Sequence, residues 1–314
     1  MKLLHALPPY NFPGIEEASF EKARFISLPV PYDGTASYGA GAKDAPHAII
    51  TASRQLELYD RELQCKPCDA GIFTLGELAP ARGDAKETCR RVKDAASQIL
   101  EAGKTPVTLG GDHSVAIGCV QAAASKFNDL SVLCLDAHLD CWDEFEGSSH
   151  SHASVGSRIA ELTPLDGLTT LSDLTPAIAK TKVNEVIAGC RTASQAELEF
   201  CRKHAVHLAW AEEIKENPRK AIDEIIKQLK RNVYITLDFD ALDPSIIDTG
   251  TPEPDGLSYR NAVNILASVT ANRNVVGMDF CELIPGRRAS EFTAAKLVYK
   301  AISLAWKGNQ EKSR

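Results

Sequence analysis

Residues 131–145, "SVLCLDAHLDCWDEF", run from a buried strand straight into a charged cluster. Ser131 to Leu135 carries Val132, Leu133 and Leu135, the apolar run of a strand covered on both faces. Asp136, His138 and Asp140 follow at alternating positions. Side chains two apart on an extended chain point the same way, so two carboxylates and an imidazole are aimed at one point.

Working outward, seven further short apolar runs read as strands: 24–30, 71–75, 105–109, 184–189, 206–210, 232–237 and 274–278. Helical patterns lie between many of them. Asp84 with Glu87 resembles a capping box opening a helix that stops near Gly103. Asn217-Pro218 opens another, Ser258 caps a third, and 290–306 forms a fourth. Strands alternating with helices imply a mostly parallel sheet covered on both faces. No linker, repeat or composition break divides the chain, so a single domain over 1–314 is expected, with 1–23 as an N-terminal extension and 308–314 as a flexible tail.

Four of the strands end in polar clusters. "TPVTLGGDHS" ends at Asp112 and His113, and the opening stretch at Asp136, His138 and Asp140. "NVYITLDFDALDP" ends at Asp238 and Asp240, and "NVVGMDFCELIP" at Asp279 and Glu282. Asp112 and Asp243 read as turn or cap residues. In open parallel sheets ligands bind beyond the carboxyl ends of the strands, so clusters distant in sequence converge there. Four aspartates gathered at one spot repel unless cations neutralise them. With His113 and His138 they make six ligands, which suits two divalent cations sharing bridging carboxylates; hard oxygens with some imidazole and no thiolate suit manganese.

Composition excludes several classes. The 314 residues are 44% hydrophobic and 25% charged, an ordinary globular balance. A formal charge of -7 argues against nucleic acid or an anionic membrane as partner. No run approaches the roughly 20 apolar residues of a membrane span, and "MKLLHALPPYNFPG" lacks a signal-length apolar core. Nine scattered cysteines read as free thiols of a reducing cytoplasm. The Cys65–Cys68 pair has no second pair nearby to complete a zinc site and reads as a surface loop. Cys141 and Cys281 read as small packing residues.

"GGDHS", "DAHLD" and "LDFDALDP", in this order, resemble the three signatures of the ureohydrolases, the arginase and agmatinase superfamily, from about Val30 to the C-terminus. The resemblance implies a three-layer α/β/α arginase-like fold with an eight-stranded parallel sheet, assembled into homo-oligomers, trimers or hexamers. It implies that His113, Asp136, Asp140 and Asp238 hold one Mn²⁺ and that Asp136, His138, Asp238 and Asp240 hold the other. Such a metal pair makes hydroxide available near neutral pH, and its attack on the guanidinium carbon of a small substrate gives urea and an amine. By the same resemblance His152, in "SSHSHASVGS", is the proton shuttle to the leaving amine, with His150 as its neighbour to be weighed against it. Glu282 is the carboxylate partner of the guanidinium, through paired N–H bonds.

The tail of the substrate is read from "LPVPYDGTASYGAGAKDAPHAI", "DEFEGS" and "TGTPEPDGLS", which resemble agmatinases more than arginases. Trp142 stands where arginases place an Asn for the α-carboxylate. Agmatine, cleaved to putrescine and urea, is therefore the expected substrate. Val155 and Gly156 depart from the agmatinase pattern, and Arg287 and Arg288 add positive charge that would favour 4-guanidinobutyrate or another guanidino acid if they face the site. Arginase activity, a single-zinc deacetylase of related fold and an inactive oligomeric homologue are the remaining alternatives; the complete ligand set speaks against the last two.

Overall fold

The computed structural model describes residues 9–16, 18–162 and 182–312. Part of the expected N-terminal extension (1–8) and the end of the expected tail (313 and 314) lie outside them. The order of elements is β1 (Phe25–Pro29), α1 (Ala45–Ser53), β2 (Ile72–Thr74), α2 (Ala85–Glu101), β3 (Thr105–Leu109), α3 (Val115–Lys126), β4 (Asp129–Leu135), α4 (Val155–Ala160), β5 (Lys182–Cys190), α5 (Gln195–His204), β6 (His207–Trp210), α6 (Ala211–Glu216), α7 (Pro218–Gln228), β7 (Asn232–Asp238), α8 (Tyr259–Asn272), β8 (Asn274–Cys281) and α9 (Arg288–Lys312).

Among the described residues the eight strands form one sheet in the order β2-β1-β3-β8-β7-β4-β5-β6, and every pairing is parallel. The chain passes from β3 through α3 to β4, and β8 and β7 later fill the gap between them. The four strands with polar ends are therefore the central four, and the gap is the kind of switch point where parallel sheets bind ligands.

Alternation along each strand sorts the side chains into two cores. Phe25 of β1, Leu133 and Leu135 of β4, and Val233, Ile235 and Leu237 of β7 pack with Ile49 of α1, Leu266 of α8 and Leu297, Val298 and Ile302 of α9. Ile26 and Leu28, Leu130 and Val132, and Tyr234 face the other side, against Val92 and Ile99 of α2 and Ile117 and Val120 of α3. These residues are nearly all fully buried, and each large apolar side chain so removed from water contributes roughly 1.5–3 kcal/mol. Three layers, helices over sheet over helices, follow from that two-faced burial.

The capping signals act where the sequence places them. Asp84 accepts from Glu87 N, Asn217 from Lys220 N, and Ser258 forms a reciprocal box with Asn261. The last helix continues to Lys312. The sequence pattern ends the last strand at Met278, whereas β8 runs to Cys281, because the ladder with β7 continues through Thr236↔Asp279 and Asp238↔Cys281. A charged residue conceals a strand end when its partner strand is polar at the same level.

The turn "GGDHS" is seated by contact rather than by propensity. A side chain at Gly111 would put its Cβ 1.8 Å from Tyr32 O, and Asp112 N donates to that same oxygen at 2.7 Å. Gly111 O in turn accepts from Glu282 N at 2.7 Å. Gly111→Ala forces β1, β3 and β8 apart at their carboxyl ends. Overpacking of this kind costs about 1–3 kcal/mol, which for a chain of this size lowers the Tm by several degrees. A melting curve within about 1 °C of wild type would show that the turn can relax.

A candidate binuclear metal centre

Each predicted ligand reaches the site from a strand end or the turn after it. His113 comes from the turn after β3; Asp136, His138 and Asp140 from the segment after β4; Asp238 from the end of β7 and Asp240 two residues on. The structure brings all six together. His113 Nδ1 lies 2.9 Å from Asp140 Oδ2, 3.1 Å from Asp136 Oδ2 and 3.4 Å from Asp238 Oδ2. His138 Nδ1 lies 2.8 Å from Asp240 Oδ2 and 3.6 Å from Asp136 Oδ1. Asp136 thus presents one oxygen to each histidine, as a bridging carboxylate between two cations does.

The donor set fits metal. A single proton on His113 Nδ1 can satisfy one of the three carboxylate oxygens around it, whereas a divalent cation can satisfy all three. Backbone amides hold the carboxylates in place: His138 N donates to Asp136 Oδ1 (2.7 Å), Asp240 N to Asp238 Oδ1 (2.8 Å) and Ala137 N to Asp240 Oδ1 (3.0 Å). Asp140 and Glu282 adopt φ of 49° and 69°, left-handed values that non-glycine residues avoid. Such strain is of order 1–3 kcal/mol each and collects at functional sites. Here Gly156 N, bonded to Asp140 O at 2.8 Å, and the Gly111 bond to Glu282 N hold it.

The electrostatics are those of a cation trap. Burial pushes the carboxyl groups of Asp140, Asp238 and Glu282 up, reinforced by neighbouring acids: Asp136 for Asp140, which rises to about 6, Asp240 for Asp238 and Asp112 for Glu282. For Asp136, burial is outweighed by hydrogen bonds from His113 and His138, and its carboxyl falls below the usual range. Burial opposes charge on His138 too, yet the Asp240 and Asp136 carboxylates lift it to about 12. Without metal, protons on the imidazoles do part of the neutralising.

Glu282 lies with the others, 5% exposed, its Oε1 accepting His113 N at 2.7 Å. His152 Nε2 is 3.4 Å from Ser37 Oγ, and its Nδ1 3.2 Å from Ser151 Oγ. The two line one cavity of about 190 Å³ with His138, Asp140, Trp142, Asp238 and Asp240. Trp142, Phe145 and His152 form a continuous aromatic wall, with ring centroids 6.4 and 5.7 Å apart. His150 lines a different cleft, beside Asp84 and Lys93. Arg287 is turned away onto Asp248 at 2.9 Å, and exposed Arg288 opens α9, so neither faces this cavity.

Several residues escaped the sequence reading. Cys134 lies beside His113 and Asp136, close enough to share a cation with them; it has the same strand parity as Asp136, which was the available signal. Burial, then the Asp136 charge, keeps it a thiol. Asp112 accepts from Thr35 N and Oγ1, both at 2.8 Å, and Thr35 Oγ1 accepts His152 N at 2.9 Å, so the presumed turn residue supports the loop of His152. Arg191 donates to the carbonyls of Asp240 and Glu253, each at 2.7 Å, and Pro254 at 2.9 Å, tying the ligand turn to the cavity rim. Nothing local in "GCRTAS" announces that.

Metal must displace protons from this cluster, so its binding is pH-dependent. Above a pH of about 6 Asp140 is ionised and ready to bind; below it, protons compete with the cation. The Tm gained on adding Mn²⁺ to chelated protein is therefore largest near about pH 8 and shrinks towards about pH 5, with proton release on binding. Thermal melts across that range, with and without Mn²⁺, check this; a pH-independent gain contradicts it.

A family model described as the arginase family matches residues 23–304. The N(1)-aminopropylagmatine ureohydrolase of Thermus thermophilus is 42% identical over 294 residues, 93% of each chain. The agmatinase of Bacillus anthracis is 29% identical, covering 92% of this chain and 93% of its own. Among solved structures, the agmatine ureohydrolase of Thermoplasma volcanium superposes with a TM-score of 0.79 at 28% identity, over 94% of each chain. The chain belongs to the arginase family, as a ureohydrolase of the agmatinase type.

Proposed function

We propose that the chain hydrolyses the guanidinium group of agmatine carrying an N1-aminopropyl tail, over two Mn²⁺, releasing urea and the corresponding polyamine; agmatine itself is the second substrate. The observation that carries this reading is the lining of the cavity. Asp140, Asp238, Asp240, Glu197 and Glu282 line it, and no Lys or Arg is among its described lining residues. A polycationic substrate suits those walls, and a substrate carboxylate finds no cationic partner. The aromatic wall ending at Trp142, 38% exposed, offers ring faces to an extended alkylammonium tail. The name of the Thermus relative supports the longer tail. With Arg287 on Asp248 and Arg288 outside the cavity lining, neither charge lends support to a guanidino acid.

Bound by the six ligands, the metal pair supplies an activated water as nucleophile. The other steps belong to the chain's own side chains. Glu282 keeps Oε2 for the guanidinium while Oε1 is engaged by His113 N, fixing the carbon to be attacked. His152 hands a proton to the departing amine; Thr35 holds its backbone and Ser37 meets its ring at Nε2. Phe145 and Trp142 screen the cleft from water on one side. The nine free thiols accord with a cytoplasmic enzyme.

A urea-release panel tests the substrate. The kcat/KM for N1-aminopropylagmatine, and next for agmatine, is expected to exceed that for arginine by at least about 10²-fold, because an unpaired buried carboxylate costs several kcal/mol. Chelation abolishes release and Mn²⁺ restores it. Arginine or 4-guanidinobutyrate as best substrate would sink the proposal. His152→Asn should lower kcat by about 10²–10⁴-fold with metal content unchanged, and His150→Asn should have little effect. The reverse ranking would make His150 the shuttle.

A further inference from the structure

Asp279, on β8, is fully buried and is not one of the six converging ligands. Its Oδ1 accepts the hydroxyl of Thr236 at 2.7 Å. Thr236 Oγ1 lies 2.9 Å from Nε2 of His113. Both residues sit at paired positions of neighbouring strands, Thr236 opposite Asp279. A threonine hydroxyl has one proton to give. Once that proton is committed to Asp279, Oγ1 has only lone pairs to offer the imidazole. Nε2 must then carry its hydrogen and donate it to Thr236. The hydrogen on Nε2 leaves the lone pair on Nδ1, the nitrogen that faces Asp136, Asp140 and Asp238.

We infer that Thr236 and Asp279 are positioning residues that hold His113 as the Nε2–H tautomer, with Nδ1 open to the cation. The inference rests on the metal reading above. The opposite polarity, Thr236 donating to Nε2, puts a hydrogen on Nδ1 where the metal belongs. With Thr236 donating to Asp279 Oδ1, the hydroxyl has no second proton to give Nε2. Partners behind a ligating histidine fix ring orientation and tautomer in this way. Among the described residues the other histidine shows no such support: His138 Nε2 is 3.9 Å from Glu253 Oε1, beyond hydrogen-bond distance, and its ring is partly exposed. The relay therefore acts at one of the two cation positions.

The test is Mn²⁺ titration of the chelated full-length protein, reading bound metal by elemental analysis and free Mn²⁺ by its EPR signal, for wild type, Thr236→Val, Thr236→Ser and Asp279→Asn. Valine keeps the shape of threonine without the hydroxyl; serine keeps the hydroxyl. Thr236→Val and Asp279→Asn are expected to lose about 10–100-fold in affinity for one of two Mn²⁺ and to weaken the spin-coupled EPR signal of the pair. Thr236→Ser should bind both as wild type does. If Thr236→Val does not fold, Asp279→Asn against Thr236→Ser decides on the same readout. Two Mn²⁺ bound at wild-type affinity by Thr236→Val and Asp279→Asn overturns the relay while leaving the metal reading intact. Thr236→Ser as weak as Thr236→Val also overturns it, because packing rather than the hydroxyl would then matter. Wild-type protein that takes up no Mn²⁺ sinks the metal reading, and this assignment with it.

Discussion

Mutual repulsion among buried carboxylates is the constraint around which this molecule is organised. Asp136, Asp140, Asp238, Asp240 and Glu282 are all buried at the carboxyl ends of the central strands. Such a group is expensive unless something positive stands among them. His113 and His138 are placed to supply protons when metal is absent and ligand atoms when it is present. The sheet tolerates the arrangement because two hydrophobic cores, one on each face, hold the strands whatever the charge state at their ends.

The same constraint explains why the backbone around the site is so closely hydrogen-bonded. Ligands must stay within a few tenths of an ångström of their positions for the site to prefer metal over protons. Left-handed Asp140 and Glu282 aim their carboxylates at angles a regular strand cannot give, and amide and glycine contacts hold both. Two buried aspartates outside the ligand set work through threonines, Asp112 on the loop of His152 and Asp279 on the ring of His113. Arg191 fastens the turn of Asp240 to the rim. Catalytic groups on loops are thereby tied to a scaffold of strands.

Charge also shapes the reach of the cavity. Acidic groups line its floor, an aromatic wall lines one side, and Arg287 is engaged on Asp248. On the proposed reading, guanidinium recognition belongs to the floor. On the same reading, discrimination between tails belongs to the wall and rim, where Trp142 and the loop carrying Glu253 lie.

The sequence by itself determined the strands and the parallel sheet, and it nominated six candidate ligands, Glu282 and His152. The strands are announced by apolar runs of strand length and the candidate ligands by polar residues alternating beyond them, while Glu282 and His152 were nominated by resemblance to the family. Alternation is a property of the extended backbone, so it survives without knowledge of the neighbours. What the tertiary structure decided is every pairing across strands. That Thr236 stands opposite Asp279, that Cys134 borders the metal centre and that Arg287 faces Asp248 all depend on the order β3-β8-β7-β4 and on its register. Which cleft His152 and His150 each line was likewise decided only by the tertiary structure. Strand order is set by how two cores close around the sheet, an energy summed over the whole chain, and no short stretch of sequence carries it.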